Sequence, residues 1–264
     1  MEGYKTLTYT VDDQIGFITL NRPKAGNALD VDISYSELKM VVKKAAADEA
    51  TKVIVIRGKG SHFCAGGDIV SFKNRIDRGE RLEEDEVREA AKMIQCLRAC
   101  PKPVIGMIQG ACVGAGLSLA MACDLRVMGE KSFMAMAFVR MALCGDTGGI
   151  YTLVQACGPA KALEYMMLGD TISAQEAYQF GLANKVVPEE KLEEETLKLA
   201  KRLVKGPSRA YAYQKKIVWN WFCRDYPIYM EYEAEGMSAC SYTDDYVEAV
   251  ESFLAKRPPE FKGR

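Results

Sequence analysis

The sequence has few of the residues on which several common kinds of site depend. It contains one histidine, His62, which excludes a metal site built from several histidines. Nine cysteines are present, but none forms a C-x-x-C pair, and their odd number without a recognisable secretion signal argues for reduced thiols. We therefore expect neither a disulfide framework nor a metal site.

The balance of charge and the short hydrophobic runs exclude two further classes of protein. The 35 Lys and Arg residues are matched by 36 Asp and Glu, so the chain lacks the basic surface that nucleic-acid binding needs. No apolar run approaches the roughly 20 residues that cross a bilayer. The first residues also lack the charged and apolar regions of a signal peptide. We expect a cytoplasmic protein that binds neither nucleic acid nor membrane.

Short apolar strands alternate with helical patterns over most of the chain, which predicts an α/β fold. Two β-rich runs on either side of Asp12 and Asp13 predict a hairpin, and further strands are predicted near residues 54, 105, 126 and 186. Beyond Pro188 the pattern is helical throughout. We predict a core formed by residues 1–188 and a helical region formed by residues 189–264.

The helical region has more aromatic side chains than one layer of helices hides. They are Trp219, Trp221, Phe222, Tyr226, Tyr229 and Tyr232. Two compatible interpretations are that the region packs back on the core and that it forms an oligomer interface.

Charged residues give three local predictions. Asp30 and Asp68 each precede a helical pattern and are predicted to cap it through the side-chain oxygen. Residues 73–89 are strongly charged, and we predict a solvated segment, with a lid over a functional site as the alternative.

Two glycine-rich turns each follow a buried strand and precede a helix. The first is FCAGGD at residues 63–68, and the second is GACVGAG at residues 110–116. A turn of this kind leaves backbone N–H groups unpaired at the start of the helix, where they stabilise negative charge, including charge that develops in a reaction. Neither turn matches a P-loop or the G-x-G-x-x-G motif of dinucleotide-binding proteins.

Together the two turns resemble the paired signatures of the crotonase superfamily, the enoyl-CoA hydratases and isomerases. The resemblance extends from LNRP at 20–23 and NAL at 27–29 to FLAKRPPEF at 253–261, and it includes the segment 169–188. It implies a ClpP-like spiral core of ββα units, a C-terminal helical trimerisation region, and a homotrimer or homohexamer.

The resemblance also implies an acyl-CoA thioester as the substrate, with CoA as part of that substrate and no separate cofactor. The thioester oxygen is expected between the backbone N–H groups of Gly67 and Ala115, which would stabilise an enolate. The residues expected to border CoA are Ala25, Ala65, Gly66, Asp68, Ile69, Gly114, Phe253 and Lys256, the last two from a neighbouring subunit.

The sequence departs from the family at the two positions where its hydratases carry glutamates. Ser118 and Phe138 stand there, and neither supplies the carboxylate that addition of water by two glutamates needs. Asp146 resembles the acid/base Asp of the subgroup that contains ring 1,2-epoxyphenylacetyl-CoA isomerase and related enoyl-CoA isomerases. Gly145 and Ala142 depart from that subgroup, which has proline and glycine at these positions.

A single carboxylate suits a 1,3-proton shift, in which it removes a proton alpha to the thioester and returns it at the gamma carbon. Burial is expected to raise the pKa of Asp146 towards neutrality. Three functions stay open: an isomerase, a hydratase or hydrolase in which Asp146 positions water, and a catalytically silent CoA-binding scaffold. Asp146 has a structural alternative too, as the cap of the helix that follows it.

An apolar acyl pocket is predicted beside Asp146, suited to a hydrophobic or cyclic acyl group. Its predicted residues are Met134, Phe138, Met141, Tyr151 and Ser118. The alternative for the methionines is ordinary core packing. His62 is interpreted as a loop residue at the edge of the first turn, and a Ser-His-Asp triad through Ser118 is not expected.

Overall fold

Two β-sheets form the framework of the chain. The structure is a computed structural model that describes residues 3–264, and within that range nine strands are found. The larger sheet contains, in spatial order, β1 (Leu7–Asp12), β2 (Ile15–Leu20), β3 (Val53–Gly58), β4 (Val104–Ile108), β6 (Leu125–Gly129) and β9 (Lys185–Val187). β1 and β2 form an antiparallel hairpin, as predicted, and the other neighbours are parallel.

The smaller sheet consists of three short strands that sequence patterns did not predict. They are β5 (Ala111–Val113), β7 (Phe133–Ala135) and β8 (Thr171–Ser173). β5 pairs with β7 in parallel, and β7 pairs with β8 in antiparallel fashion. Three residues are too few to show an alternating pattern, since typical strands have about five or six residues.

Ten α-helices surround the sheets in the described part of the chain. They are α1 (Ser34–Ala47), α2 (Ile69–Asp77), α3 (Glu84–Ala99), α4 (Ala115–Ala122), α5 (Gly149–Leu168), α6 (Ala174–Gln179), α7 (Leu192–Val204), α8 (Ser208–Ile217), α9 (Tyr226–Ser241) and α10 (Asp244–Leu254). α5 bends at Gly158, immediately before Pro159. None of these helices is both long and apolar enough to cross a membrane.

The larger sheet is covered on both faces, which explains its continuous apolar runs. Successive side chains of a strand point to opposite faces. In β3, Ile54 and Ile56 enter the main core with α1, α3 and α4, whereas Val53 and Val55 pack against α7 on the other face. Fully burying one such side chain stabilises the fold by roughly 1.5–3 kcal/mol.

The helices beyond residue 188 share their packing with the rest of the chain. α7 covers the sheet, α9 packs on α3, and Tyr246 of α10 meets Phe72 of α2 edge to face, with ring centroids 6.1 Å apart. Tyr226 is buried, whereas Trp221, Phe222 and Tyr232 are exposed in the single chain. The α/β class with a helical C-terminal region is confirmed, and the division at residue 188 stays a prediction.

The two predicted helix caps have different outcomes. The carboxylate of Asp68 accepts hydrogen bonds from the amides of Val70 and Ser71 at 3.0 and 3.4 Å, which confirms it as the cap of α2. The prediction for Asp30 is wrong, because α1 begins only at Ser34. The Asp30 carboxylate instead accepts from the amide of Asp32 within the preceding turn.

The charged segment 73–89 is not simply solvated, and that prediction is wrong for Arg75, Leu82 and Val87, which are buried. It forms the end of α2, a connection, and the start of α3. Arg75 is buried and pairs with Glu86 at 2.7 Å and with Asp32 at 3.3 Å, while Leu82 and Val87 are buried apolar residues. The ion pair between Arg75 and Glu86 allows the Arg75 guanidinium to be buried in a segment that also contains the apolar residues Leu82 and Val87.

Candidate active site

The two glycine-rich turns pack directly against each other. The Cys64 amide donates to the Ala111 carbonyl at 3.1 Å, and the Val113 amide donates to the Cys64 carbonyl at 2.9 Å. Gly66 has a φ of +100°, and a Cβ there would lie 2.9 Å from the carbonyl oxygen of Val113. Only glycine fits both this conformation and this close approach. The contact places Gly67 and the start of α4 at one site.

Two backbone amides at this junction are available as hydrogen-bond donors. Ala115 is the first residue of α4, so its N–H has no acceptor within the helix. The amide of Gly67 donates no hydrogen bond within residues 3–264. Both residues line the same cavity, so both amides are candidates to bind a ligand there. The helix N-terminus adds partial positive charge.

The cavity has a volume of about 680 Å³ and is largely apolar. Its apolar walls include Ile69, Phe72, Leu82, Val87, Phe138, Met141, Leu143 and Met237. The charged residues of its lining, apart from Asp146, are Asp32, Lys39, Asp85, Glu86, Glu89 and Arg140. The volume and the apolar lining are typical of a small-molecule site.

Asp146 brings a carboxyl group into this cavity. It is only 8% exposed, and burial raises its pKa to about 6, with a partly opposing effect of the Thr147 hydroxyl that donates to it at 3.0 Å. A carboxyl group with a pKa near neutrality can accept and return a proton under physiological conditions.

The loop 142–148 that carries Asp146 has an unusual backbone. Ala142, Gly145, Thr147 and Gly148 all have positive φ values. Gly145, at +128°, has a conformation that proline cannot adopt, because its ring fixes φ near −65°. Gly145 replaces the proline of the isomerase subgroup, and the backbone at this position has a conformation that excludes proline.

Contacts from two other helices hold this loop. The Ser118 hydroxyl in α4 donates to the backbone carbonyl of Asp146 at 3.2 Å. The carboxyl group of Glu233 in α9 accepts from the amide of Gly148 at 2.8 Å. Sequence patterns did not identify Glu233, because it lies 85 residues from Gly148 and within an ordinary helical pattern.

Only some of the residues predicted to border CoA lie at the cavity. Those that line the cavity are Ala65, Gly66, Ile69, Gly114 and Phe253. The Asp68 carboxylate caps α2 and pairs with Arg22 at 2.6 Å. Ala25 and Lys256 are exposed and are not part of the lining found in residues 3–264, so their contact with CoA stays a prediction.

Three of the five residues predicted for the acyl pocket lie elsewhere. Phe138 and Met141 line the cavity. Met134 does not, because β7 directs it into the main core, where it is fully buried. The Tyr151 hydroxyl donates to Asp225 at 2.7 Å, with its ring against Tyr226, and Ser118 is buried beneath the Asp146 loop. The pocket predictions for Met134, Tyr151 and Ser118 are corrected accordingly.

Tyr35 is a cavity residue that the sequence patterns did not single out. It projects from α1 into the lining that also contains Asp146. Burial and the nearby charge of Asp146 raise its pKa well above the usual value, so its hydroxyl stays protonated. An aromatic residue in a helix usually packs in the core, so its sequence context gives no signal for a functional position.

His62 links the two turns as a structural residue. Its Nδ1 accepts a hydrogen bond from the Ala111 amide at 3.1 Å, and its carbonyl oxygen accepts from the Asn27 side chain at 2.7 Å. This placement agrees with its interpretation as a loop residue. Over residues 3–264, no group of three or more His, Cys, Asp or Glu side chains is arranged to hold a metal ion.

The arrangement combines a carboxyl group of raised pKa with two amides that lack acceptors, in one largely apolar cavity. The carboxyl group can move a proton at carbon, while the amides stabilise an oxygen that gains negative charge. Exclusion of water by the apolar walls strengthens both effects.

The whole chain is similar to proteins of known sequence and structure. The family model described as enoyl-CoA hydratase/isomerase matches residues 10–264. A trans-2-decenoyl-[acyl-carrier-protein] isomerase from Streptococcus mutans is 30% identical, over 99% of each chain. A 1,2-epoxyphenylacetyl-CoA isomerase from Escherichia coli is 29% identical, over 96% of this chain and 97% of that protein. The crystal structure of an enoyl-CoA hydratase from Mycobacterium avium subsp. paratuberculosis has a TM-score of 0.89 and 28% identity, covering 98% of this chain and 100% of that chain.

Proposed function

Because this chain belongs to the enoyl-CoA hydratase/isomerase family, the crotonase superfamily, we propose that it is an acyl-CoA thioester isomerase that moves a double bond by a 1,3-proton shift. In this proposal Asp146 is the single acid and base. The amides of Gly67 and Ala115 bind the thioester oxygen. CoA enters as part of the substrate, and no separate cofactor takes part.

The observation that carries the proposal is the position of Asp146 in the cavity. Among the carboxylates of its lining in residues 3–264, Asp146 alone is buried. The side chains of Asp32, Glu86 and Glu89 are 39–56% exposed, and that of Asp85 is more exposed still. A buried carboxyl group in the cavity that the amide donors also line is desolvated, which raises its pKa and favours proton transfer at carbon.

The proposed reaction balances without a co-reactant. The Asp146 carboxylate takes the proton from the alpha carbon of a 3-enoyl thioester, and the C–H electron pair delocalises onto the thioester oxygen. Asp146 then returns the proton to the gamma carbon, and the double bond lies between the alpha and beta carbons. The amides of Gly67 and Ala115 stabilise the dienolate, and the loss of one such donor typically costs about 3 kcal/mol of barrier.

The apolar walls favour a hydrophobic or cyclic acyl group. Phe72 and Phe138 supply aromatic surface, and Met141 and Met237 supply adaptable side chains. Phe253 stands at the same cavity and is 57% exposed in the single chain. On the family premise, Phe253 and Lys256 contact CoA bound to a neighbouring subunit, while Ala25, Ala65, Gly66 and Ile69 border it within the subunit.

The exposed aromatic surface of the C-terminal helices supports an oligomer. Trp221, Phe222 and Tyr232 are 64%, 67% and 71% exposed in the single chain. A single exposed apolar side chain is ordinary on a protein surface, whereas several in one region indicate an interface. We expect a homotrimer or homohexamer, located in the cytoplasm. Light scattering coupled to size-exclusion chromatography would measure the molar mass of this assembly. A monodisperse monomer at micromolar concentration would contradict this assembly.

A hydratase or hydrolase is the alternative, because the names of similar proteins include a hydratase as well as an isomerase. Asp146 would then position a water molecule. A catalytically silent CoA-binding protein is the remaining alternative, since Ser118 and Phe138 replace the two family glutamates. The three functions give different products from the same thioester.

The three functions can be distinguished by mass spectrometry of linear and cyclic enoyl-CoA thioesters that have been incubated with the protein in deuterated water. The isomerase shifts the double bond without net addition of water, and deuterium enters the product when the protonated Asp146 exchanges with solvent before it returns the proton. Asp146→Asn abolishes both the shift and the exchange. Asp170→Asn, at an exposed position outside the cavity lining, is the matched control and retains both. Hydrated or hydrolysed products would support the alternative enzyme, and binding without exchange or turnover would support the silent protein.

A further inference from the structure

A second buried carboxyl group lies behind the loop that carries Asp146. Glu233, in α9, is 3% exposed and is outside the cavity lining of residues 3–264. We propose that Glu233 is a positioning residue that fixes the Asp146 loop through the amide of Gly148. The proposal rests on the proposed function, because it assigns Glu233 its role through Asp146.

The contacts of Glu233 join α9 to the start of α5. One carboxyl oxygen accepts a hydrogen bond from the Gly148 amide at 2.8 Å, and the other accepts from the Tyr229 hydroxyl. The Tyr229 hydroxyl in turn accepts from the Tyr151 amide at 3.3 Å. Glu233 and Tyr229 therefore satisfy two of the amides that the first turn of α5 leaves without partners.

Gly148 lies two residues after Asp146, so a hydrogen bond that holds the Gly148 backbone also restricts the position of the Asp146 carboxyl group. The intervening Thr147 donates its hydroxyl to the Asp146 carboxylate at 3.0 Å and has a φ of +56°. A loop with four residues at positive φ depends on its tertiary contacts to keep this conformation. Without an acceptor, the buried Gly148 amide would be unsatisfied and the loop would relax.

An ion pair does not explain why a carboxyl group is present at position 233. No salt bridge to Glu233 is found within residues 3–264. The nearby Arg98 guanidinium is instead stacked between the rings of Trp219 and Tyr226, 4.1 and 4.3 Å from their centroids. A buried carboxyl group is costly unless its hydrogen bonds are used, and here those bonds go to the Asp146 loop and to α5.

The protonation of Glu233 is consistent with this role. Burial raises its pKa to about 8, so near neutral pH it is mainly a neutral hydrogen-bonding group. A glutamine has the same shape and keeps a carbonyl oxygen for the Gly148 amide, with an amide group facing Tyr229. Methionine has similar volume but offers no acceptor of comparable strength.

Glu233→Gln and Glu233→Met therefore separate the hydrogen bond from the packing. We expect Glu233→Met to unfold cooperatively but to lose about 100-fold in kcat with a smaller change in KM, the effect of a displaced catalytic group. Glu233→Gln restores most of kcat. Glu235→Met and Glu235→Gln, at an exposed position in the same helix, are the matched controls and leave both parameters unchanged.

Hydrogen–deuterium exchange tests the loop without relying on turnover. The amides of Gly148 and Tyr151 exchange slowly in the wild type and in Glu233→Gln, and faster in Glu233→Met. Equal exchange in all three proteins, or a kcat for Glu233→Met equal to that of the wild type, would overturn the role of Glu233. If Glu233→Met does not fold, Tyr229→Phe provides the second test, because it removes the hydroxyl that holds the other carboxyl oxygen of Glu233. Unchanged exchange of the Gly148 amide in this variant would also overturn the proposal. A wild type without isomerase activity refutes the proposed function, and the exchange pattern still decides whether Glu233 fixes the loop.

Discussion

The Ser118 hydroxyl donates a hydrogen bond to the backbone carbonyl of Asp146 across 3.2 Å. Ser118 belongs to α4, whose first residue, Ala115, lines the cavity with its free amide. One helix therefore carries a proposed oxyanion donor and also holds the loop of the proposed acid and base. Ser118, at a position where family hydratases carry a glutamate, therefore helps to hold the loop of the proposed acid and base.

Removal of the Ser118 hydroxyl is expected to loosen this connection. Ser118→Ala should lower the free energy of unfolding by about 1 kcal/mol, the usual net value of one hydrogen bond. It should also lower kcat, because the Asp146 loop loses a fixed contact. Urea denaturation measures the first effect and isomerase kinetics the second. Unchanged values of both would show that the bond is dispensable.

The pH dependence of the reaction should report the ionisation of Asp146. Its pKa is raised from 3.8 to about 6 by burial, and the base must be ionised to remove a proton from carbon. We expect kcat/KM to fall about tenfold per pH unit below pH 6 and to level off above it. Initial rates of isomerisation between about pH 5 and pH 8 measure this profile. A profile that is flat across this range would exclude Asp146 as the base.

Stability should decrease as pH rises, because the native state keeps Glu233 protonated. Its pKa is about 8 in the folded chain, against an ordinary value of 4.5 for a glutamate. The contribution is fully present below the unfolded pKa and is lost as pH rises through the folded one. Urea unfolding at about pH 5 and pH 9 should show a smaller difference in Glu233→Gln than in the wild type. Parallel changes in both proteins would contradict the raised pKa of Glu233.

The Tyr35 hydroxyl is expected to contribute to substrate binding or turnover, because it is a protonated donor in the cavity that contains Asp146. Tyr35→Phe should lower kcat/KM by up to about tenfold, which corresponds to one hydrogen bond. Tyr178→Phe, at a position 53% exposed, is the matched control and should have no effect. Equal kinetics for the two variants would limit Tyr35 to a packing role.

Much of the fold follows from local sequence patterns. The run at β3 predicts a strand buried on both faces, because Ile54 and Val55 can be apolar in succession only if both faces are covered. Asp68 predicts the start of α2 through its capping side chain. The two glycine-rich turns and Asp146 were recognised because they resemble family motifs, each contained within a short stretch of sequence.

Only the tertiary structure decided which of these side chains meet. Periodicity marks Met134 and Phe138 equally as apolar, but β7 directs the first into the core and the following 3-10 helix, Ala137–Met141, places the second in the cavity. Glu233 contacts Gly148 across 85 positions of the chain, so nothing near it in sequence indicates that contact. The sequence by itself determined the longer strands and helices, the glycine-rich turns and the candidate carboxylate, since these depend on neighbouring residues. The cavity and the support of Asp146 depend on packing between distant helices, which local patterns do not encode.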